Sequence, residues 1–412
     1  MLQPVPVGSK TLADYTHLVG RPLTHEIRDL AADLEGLRVL HLSATAFGGG
    51  VSEILYALVP LMKDVGIESE WQVIVGREEF FNATKVLHNA LQGNPLDLSP
   101  EEWGVWEQYN EMNARELEGG WDVIIVHDPQ PAAIRRHVPE KASNWVWRCH
   151  IDLSTPHPPT IARMVPIISE YDASVFHLEQ YVPESLAATN GSVHICPPAI
   201  DPLSPKNMRL SPEDAAFVCD QFGLDIDRPL MCQVSRFDPW KDPIGVIDAY
   251  RRVTEAMPDV QLALVGSMAT DDPEGWTYFN STLEYAAGDP DIMILNNLNN
   301  VGAIEVNAFQ SQADVVIQKS TREGFGLTVS EALWKARPFV GGDVGGIPLQ
   351  VHDGSTGFLV ASPEECAERS LEILREPELG MRLGRTGKEH VRVNFLMPRL
   401  LRDWLRIFRG LR

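Results

Sequence analysis

The chain reads as two successive series of short β-branched apolar runs that alternate with segments of helical apolar spacing, several of them joined by glycine-bearing loops. Strands that alternate with helices pair in parallel, because each crossover helix carries the chain back to the same edge of the sheet. The first series predicts strands near residues 37–43, 70–75, 121–126, 144–149, 173–177 and 193–196. The second predicts strands near 230–235, 260–265, 292–295, 314–318, 338–340 and 354–360. Between them, Pro197, Pro198 and Pro202 stiffen a turn-prone segment, and polar residues run on to Pro212. A chain of 412 residues exceeds what one hydrophobic core usually supports. The fold class expected is therefore α/β, with two Rossmann-like domains facing across a cleft.

Charge then limits what the two domains can bind. With 35 basic and 57 acidic residues the net charge is −22, which argues against a nucleic-acid partner or an anionic membrane surface. A phosphate site must rely on a local group of basic residues. No stretch reaches the roughly 18 apolar residues that span a bilayer, and the first thirty residues carry no charged segment followed by an apolar one. A cytoplasmic protein is expected. Cys149, Cys196, Cys219, Cys232 and Cys366 form no C-x-x-C pair and read as buried reduced thiols.

In parallel α/β sheets ligands bind beyond the carboxyl ends of the strands, so the residues that follow each predicted strand are the candidates. After the strand near 314–318 comes Arg322-Glu323-Gly324-Phe325-Gly326-Leu327, opening a helix that contains Glu331. Gly324 and Gly326 permit close backbone approach, and the amides of the first helical turn face an anion. Seven residues separate Glu323 from Glu331, which at about 1.5 Å rise per helical residue spaces them on the order of 10 Å apart. That separation suits two hydroxyl clusters, since each carboxylate has two acceptor oxygens for a sugar diol. The structural alternative is a loop glutamate and a helix glutamate that favour the N-terminal dipole and do nothing more.

Arg236 and Lys241, after the strand near 230–235, supply the local basic cluster: a planar fork and a mobile point charge suited to a diphosphate. Phe47-Gly48-Gly49-Gly50 brings backbone amides toward a phosphate or sugar but falls short of G-x-G-x-x-G. His127 and Asp128 follow one strand, and Arg148, His150 and Asp152 follow the next, offering donor, proton-labile and acceptor groups to a polyhydroxy substrate. Gly266 marks a tight turn after the strand near 260–265. Two D-x-D triplets, Asp225 to Asp227 and Asp289 to Asp291, precede strands and so read as surface turns at the far edge. No metal site and no cofactor are expected.

The pattern from Glu323 to Glu331 resembles the E-x7-E signature of retaining GT-B glycosyltransferases of the family 4 type. Phe47 to Val51, His88 to Gly93, His127 to Pro131, Trp145 to Ser154 and Ser235 to Lys241 are similar to the trehalose glycosyltransferring synthases of that group. The resemblance implies transfer of glucose from a nucleoside diphosphate glucose to glucose, giving α,α-trehalose reversibly and with retention. It implies that Arg236 and Lys241 hold the departing diphosphate, Glu323 positions the donor hexose, Glu331 holds the ribose, and His150 contacts the donor sugar. Gly49, Gly50, Gly266, Gly324, Phe325, Gly326 and Leu327 would line the nucleotide and diphosphate site. Phe47, Gly48, Gln92, His127, Asp128, Arg148 and Asp152 would serve the acceptor and sugar. It further implies a homodimer, and it makes the basic amphipathic stretch Leu400 to Phe408 a helix that returns to the first domain. The domains are then residues 1–205 plus 395–412 and residues 206–394. ADP, UDP and GDP remain open as the nucleotide. A trehalose phosphorylase, a glycosyltransferase with another acceptor, an NAD-dependent oxidoreductase and a non-catalytic sugar-nucleotide sensor are the alternatives.

Overall fold

The computed structural model describes residues 2–187, 191–268 and 273–412. The chain divides into two compact units, residues 1–199 with 397–412, and residues 200–396. The sequence expectation placed the boundaries at 205/206 and 394/395, and the difference has a local cause. The Ile200 amide donates to the Phe395 carbonyl at 2.9 Å, and Asn307 Nδ2 donates to the carbonyls of Pro205 and Met208. Backbone groups in the polar tail of the linker are thereby satisfied by the second unit and belong to it.

In the N-terminal unit seven strands lie in the order Gln3–Pro4, Glu68–Val73, Arg38–Ser43, Trp121–His127, Ala142–Arg148, Ala173–Phe176, Ser192–Ile195. All pair in parallel except the short first strand, which runs antiparallel on Glu68–Val73. Trp121–His127 is buried along nearly its whole length, as strands covered on both faces must be. The chain order reverses between Arg38–Ser43 and Trp121–His127, leaving a crevice position at their carboxyl ends. Helix Pro100–Arg115 covers one face and starts at a full capping box, in which Ser99 accepts from the Glu102 amide while Glu102 accepts from the Ser99 amide. Helix Met397–Leu411 packs on helices Arg21–Ala32 and Gly50–Asp64 of this unit, as the amphipathic reading anticipated. Arg399 ties its start to the carbonyls of Pro197 and Pro198 at 2.8 and 2.7 Å, and Trp404 is buried.

The C-terminal unit holds six parallel strands in the order Ile292–Leu295, Gln261–Val265, Leu230–Val234, Val315–Gln318, Phe339–Gly342, Phe358–Val360. Numbered along the chain this is 3-2-1-4-5-6, the doubly wound order, with its reversal between Leu230–Val234 and Val315–Gln318. Leu230–Val234 and Val315–Gln318 are wholly buried, and Met231, Leu262, Leu264, Val315, Ile317 and Val340 share one core with Val246, Ile247 and Val253 of helix Pro243–Ala256. The five cysteines are free thiols, all buried. Among the described residues no helix is long and apolar enough to cross a membrane.

Candidate active site

The reversal point of the C-terminal sheet gathers charge. Beyond Leu230–Val234, Asp238 accepts the amides of Trp240 and Lys241 at 3.0 and 3.1 Å, and Gln233 Nε2 donates to the Lys241 carbonyl at 2.7 Å. The Lys241 backbone is thus fixed from both sides. Its Nζ lies 2.7 Å from Glu323 Oε2, with both side chains largely buried. Ser320 Oγ also donates to Glu323 Oε2, and the Thr321 amide donates to the Trp240 carbonyl, so the two loops are stitched together. Beside this pair Lys319 forms an ion pair with Asp242, the cap of helix Pro243–Ala256. Arg236 is more exposed and pairs with Asp238 at 3.3 Å. Three cations and three carboxylates therefore share one sheet edge. Each buried cation has a carboxylate to offset its desolvation.

The glycine corner follows directly. Gly326 has φ +80°, a left-handed conformation that a side chain would strain, and it turns the chain into helix Leu327–Trp334. Gly326 supplies no side-chain cap; the Val329 amide donates back to the Gly326 carbonyl at 3.0 Å, and no side-chain acceptor meets the helix start among the described residues. The loop carbonyls are gathered instead by Gln350, whose Nε2 donates to Phe325, Gly326 and Gly346 at 2.5, 3.2 and 3.3 Å. Ser330 Oγ donates to Gln350 Oε1 at 2.5 Å and orients the carboxamide. Phe325 is buried edge-on to Phe395. Gly266 closes the turn after Gln261–Val265, where an added Cβ would lie 2.4 Å from the Phe237 ring.

Glu331 stands one turn into the helix, 1% exposed, with Lys206 Nζ 3.6 Å away. Lys335, one turn further on, donates to the Glu331 and Asn207 oxygens. Burial pushes its ammonium down to about 7, against the opposing pull of the Glu331 charge.

The N-terminal sheet edge is built from neutral rings. His127 Nε2 lies 3.0 Å from His41 Nδ1, and His127 Nδ1 lies 2.8 Å from His150 Nε2. His150 in turn meets the His177 ring edge-on at 5.4 Å. Burial pushes the His41 imidazole down to about 3 and holds His127 and His150 well below the usual histidine range, with neighbouring positive charge adding to the effect. Asp128 adopts φ +66° and accepts the His150 amide at 2.7 Å. Desolvation pushes its carboxyl up to about 7, opposed by that hydrogen bond and by Arg148. Arg148 is buried, donating to the Phe176 carbonyl at 3.2 Å, and Asp152 is buried and accepts the Ser154 amide at 2.8 Å. In the loop before helix Gly50–Asp64, Gly48 has φ +80°, Gly49 is the extended residue that precedes the helix, and the Phe47 ring is 76% exposed. Gln92 is buried at the end of helix Glu78–Leu91, and its Nε2 has no hydrogen-bond partner among the described residues.

The structure thus joins Lys241 to Glu323 and His127 to His150, while Glu331 sits with Lys206 and Lys335. Sequence reasoning missed Lys319, Gln350, Lys206, Lys335 and His41, all set by contacts across the fold. A buried polar residue inside an apolar strand, His41, was the one visible signal. Each D-x-D triplet is a turn in which the first aspartate accepts the amide two residues on, at 3.1 and 3.0 Å.

Comparison with known proteins bears on both units. Residues 41–183 match the family model described as trehalose synthase, N-terminal domain. Residues 219–390 match glycosyl transferases group 1. A trehalose synthase of Rubrobacter xylanophilus is 55% identical, covering 99% of this chain and 99% of that protein. A trehalose synthase of Thermococcus litoralis is 47% identical over 96% of each. Among solved structures, a UDP-forming α,α-trehalose-phosphate synthase of Burkholderia vietnamiensis superposes with a TM-score of 0.69 at 15% identity, over 90% of this chain and all of that one.

Proposed function

Because the chain belongs to the trehalose synthase family of GT-B glycosyltransferases, we propose that it moves glucose reversibly between a nucleoside diphosphate and free glucose, forming α,α-trehalose. The reading rests on one observation above the others: Lys241 and Glu323 meet at 2.7 Å at the reversal point of the C-terminal sheet, beside an uncapped helix start. In the reaction the bond from sugar C1 to the diphosphate oxygen breaks, and its electron pair leaves with the diphosphate. Lys241, Arg236 and the amides around Gly324 to Leu327 stabilise that growing negative charge, where fixed donors act most strongly. Glu323 holds hydroxyls of the donor hexose, and Glu331 holds the ribose.

The incoming glucose hydroxyl attacks C1 from the face the diphosphate leaves, so configuration is retained, and its proton passes to the departing phosphate. No carboxylate serves as a covalent nucleophile in this scheme. His150 contacts the donor sugar, while Phe47, Gln92, His127, Asp128, Arg148 and Asp152 shape the sugar and acceptor surroundings. Support for the neutral character of this region comes from the depressed imidazoles, which donate and accept without competing for a phosphate.

Running the reaction backward tests the reading. Trehalose incubated with ADP, UDP or GDP should release glucose and form the corresponding nucleoside diphosphate glucose, and trehalose with orthophosphate should release none. Glucose 1-phosphate formed from orthophosphate would replace this function with that of a phosphorylase.

A further inference from the structure

His41, His127, His150 and His177 come from four neighbouring strands of the N-terminal sheet or from the residues just past their ends, and the register explains why they align. His41 pairs with Ile125 and His127 with Arg148, while Arg148 pairs with Val175. Residues two apart on a strand share a face, so His41, His127, His150 and His177 all project from one face, with His127 two residues beyond the level of His41, His150 two beyond that, and His177 level with His150. The row deepens from half-buried His150 to His127 and then to wholly buried His41, whose ring meets Trp404 of helix Met397–Leu411 edge-on.

A neutral imidazole carries one N–H, so a chain of such rings can run in only two directions. His41 Nε2 is buried with no hydrogen-bond partner among the described residues. A buried N–H without an acceptor is the rarer and costlier of the two orphans. His41 is therefore protonated on Nδ1 and donates to His127 Nε2. His127 must then carry its proton on Nδ1 and donate to His150 Nε2, which forces the His150 proton onto Nδ1. The Asp128 carboxylate holds the His150 backbone at the same place through its amide.

We propose that His41 and His127 are positioning residues that fix His150 as the Nδ1–H tautomer, so that its Nδ1–H is always presented as a donor to a sugar hydroxyl. The functional half of this rests on the assignment of His150 to the sugar. A lone histidine would divide its population between tautomers and lose part of its binding competence. The row removes that loss at the cost of one buried, unpaired ring nitrogen.

The test is heteronuclear NMR of the full-length protein with ring-15N histidine at neutral pH, together with kinetics of three variants. His150 should show a protonated Nδ1 and an unprotonated Nε2, as should His127 and His41. In His41→Leu the His150 signals should become mixed between tautomers and kcat/KM for the donor should fall roughly three- to tenfold, the worth of one neutral hydrogen bond. His41→Asn keeps an N–H at the Nδ1 position and should restore both readouts, which a mere packing role for the ring would not. An Nε2–H tautomer at His150 in the unmodified protein overturns the proposal whatever the variants do. Unchanged kinetics in His150→Ala, with the tautomers as expected, would instead overturn the assignment of His150 to the sugar.

Discussion

The two sheet edges carry different chemistry. The C-terminal edge sets Lys241, Lys319 and Arg236 against Glu323, Asp242 and Asp238. The N-terminal edge sets neutral imidazoles beside a carboxyl pushed up to about 7. A charged edge suits a step in which charge develops, because fixed ions stabilise it without reorganising. A neutral edge suits hydroxyl groups, which need donors and acceptors and gain little from full charge. The contrast teaches that effects on turnover should be large at the first edge and modest at the second.

Lys241→Ala should give the largest effect. Losing a donor to the departing diphosphate should lower kcat by about 10² to 10³, or roughly 3 to 4 kcal/mol, with little change in KM for glucose. Steady-state kinetics on both substrates would show it, and near-normal turnover would remove the distinction between the edges. Glu323→Gln keeps the shape but removes the charge paired with Lys241 at 2.7 Å. It should cost about 1.5 to 3 kcal/mol in kcat/KM for the donor, the worth of a charge-assisted hydrogen bond.

Acid should expose the neutral edge. The His41 imidazole titrates at about 3 in the folded chain and at 6.5 when free. Its contribution to stability is full above the free value and is lost as the pH falls toward 3, because the unfolded chain then binds the extra proton. Asp128, pushed up to about 7 from 3.8, works in the opposite sense, favouring the fold at low pH and losing that contribution as the pH rises toward 7. His127 shifts in the same direction as His41, so the imidazoles outweigh the carboxyl. Thermal unfolding between pH 6.5 and 5 should show stability falling, with His41 contributing up to about 1.4 kcal/mol per pH unit. His41→Asn should make the slope shallower, and an unchanged slope would mean that the row is not held neutral.

His150→Ala should lower kcat/KM about tenfold, within the range of a neutral hydrogen bond. The smallest change belongs to Asp225→Asn and Asp289→Asn, which preserve the turn acceptors seen here. Stability and turnover should stay within about 0.5 kcal/mol. A large loss in either variant would reopen a role for the D-x-D triplets.

The parallel strands, the glycine corners and the returning helix were legible in the sequence because each is a local signal: β-branched runs, glycine punctuation and an amphipathic repeat. So were the individual residues at the strand ends. The short antiparallel strand Gln3–Pro4 was not, because two residues carry no periodicity. Nor were the partnerships of the strand-end residues. Lys241 and Glu323 are 82 residues apart, and only the pairing of Leu230–Val234 with Val315–Gln318 brings their loops together. The histidine row needs the register of four strands at once, which no single run specifies. Gln350 and Lys206 act on the corner from other elements of the fold, and nothing in their own neighbourhoods marks them.

One measurement bears most directly on the claim that the charged edge releases a nucleoside diphosphate and passes glucose to glucose. Purified protein would be incubated with 13C-labelled glucose and, in separate reactions, ADP-glucose, UDP-glucose and GDP-glucose, and the products identified by NMR. The account predicts a symmetric α,α-1,1 disaccharide carrying one labelled ring, with one nucleoside diphosphate released per disaccharide. A donor that binds without labelling any disaccharide, or a product with a β linkage at either anomeric carbon, would contradict it.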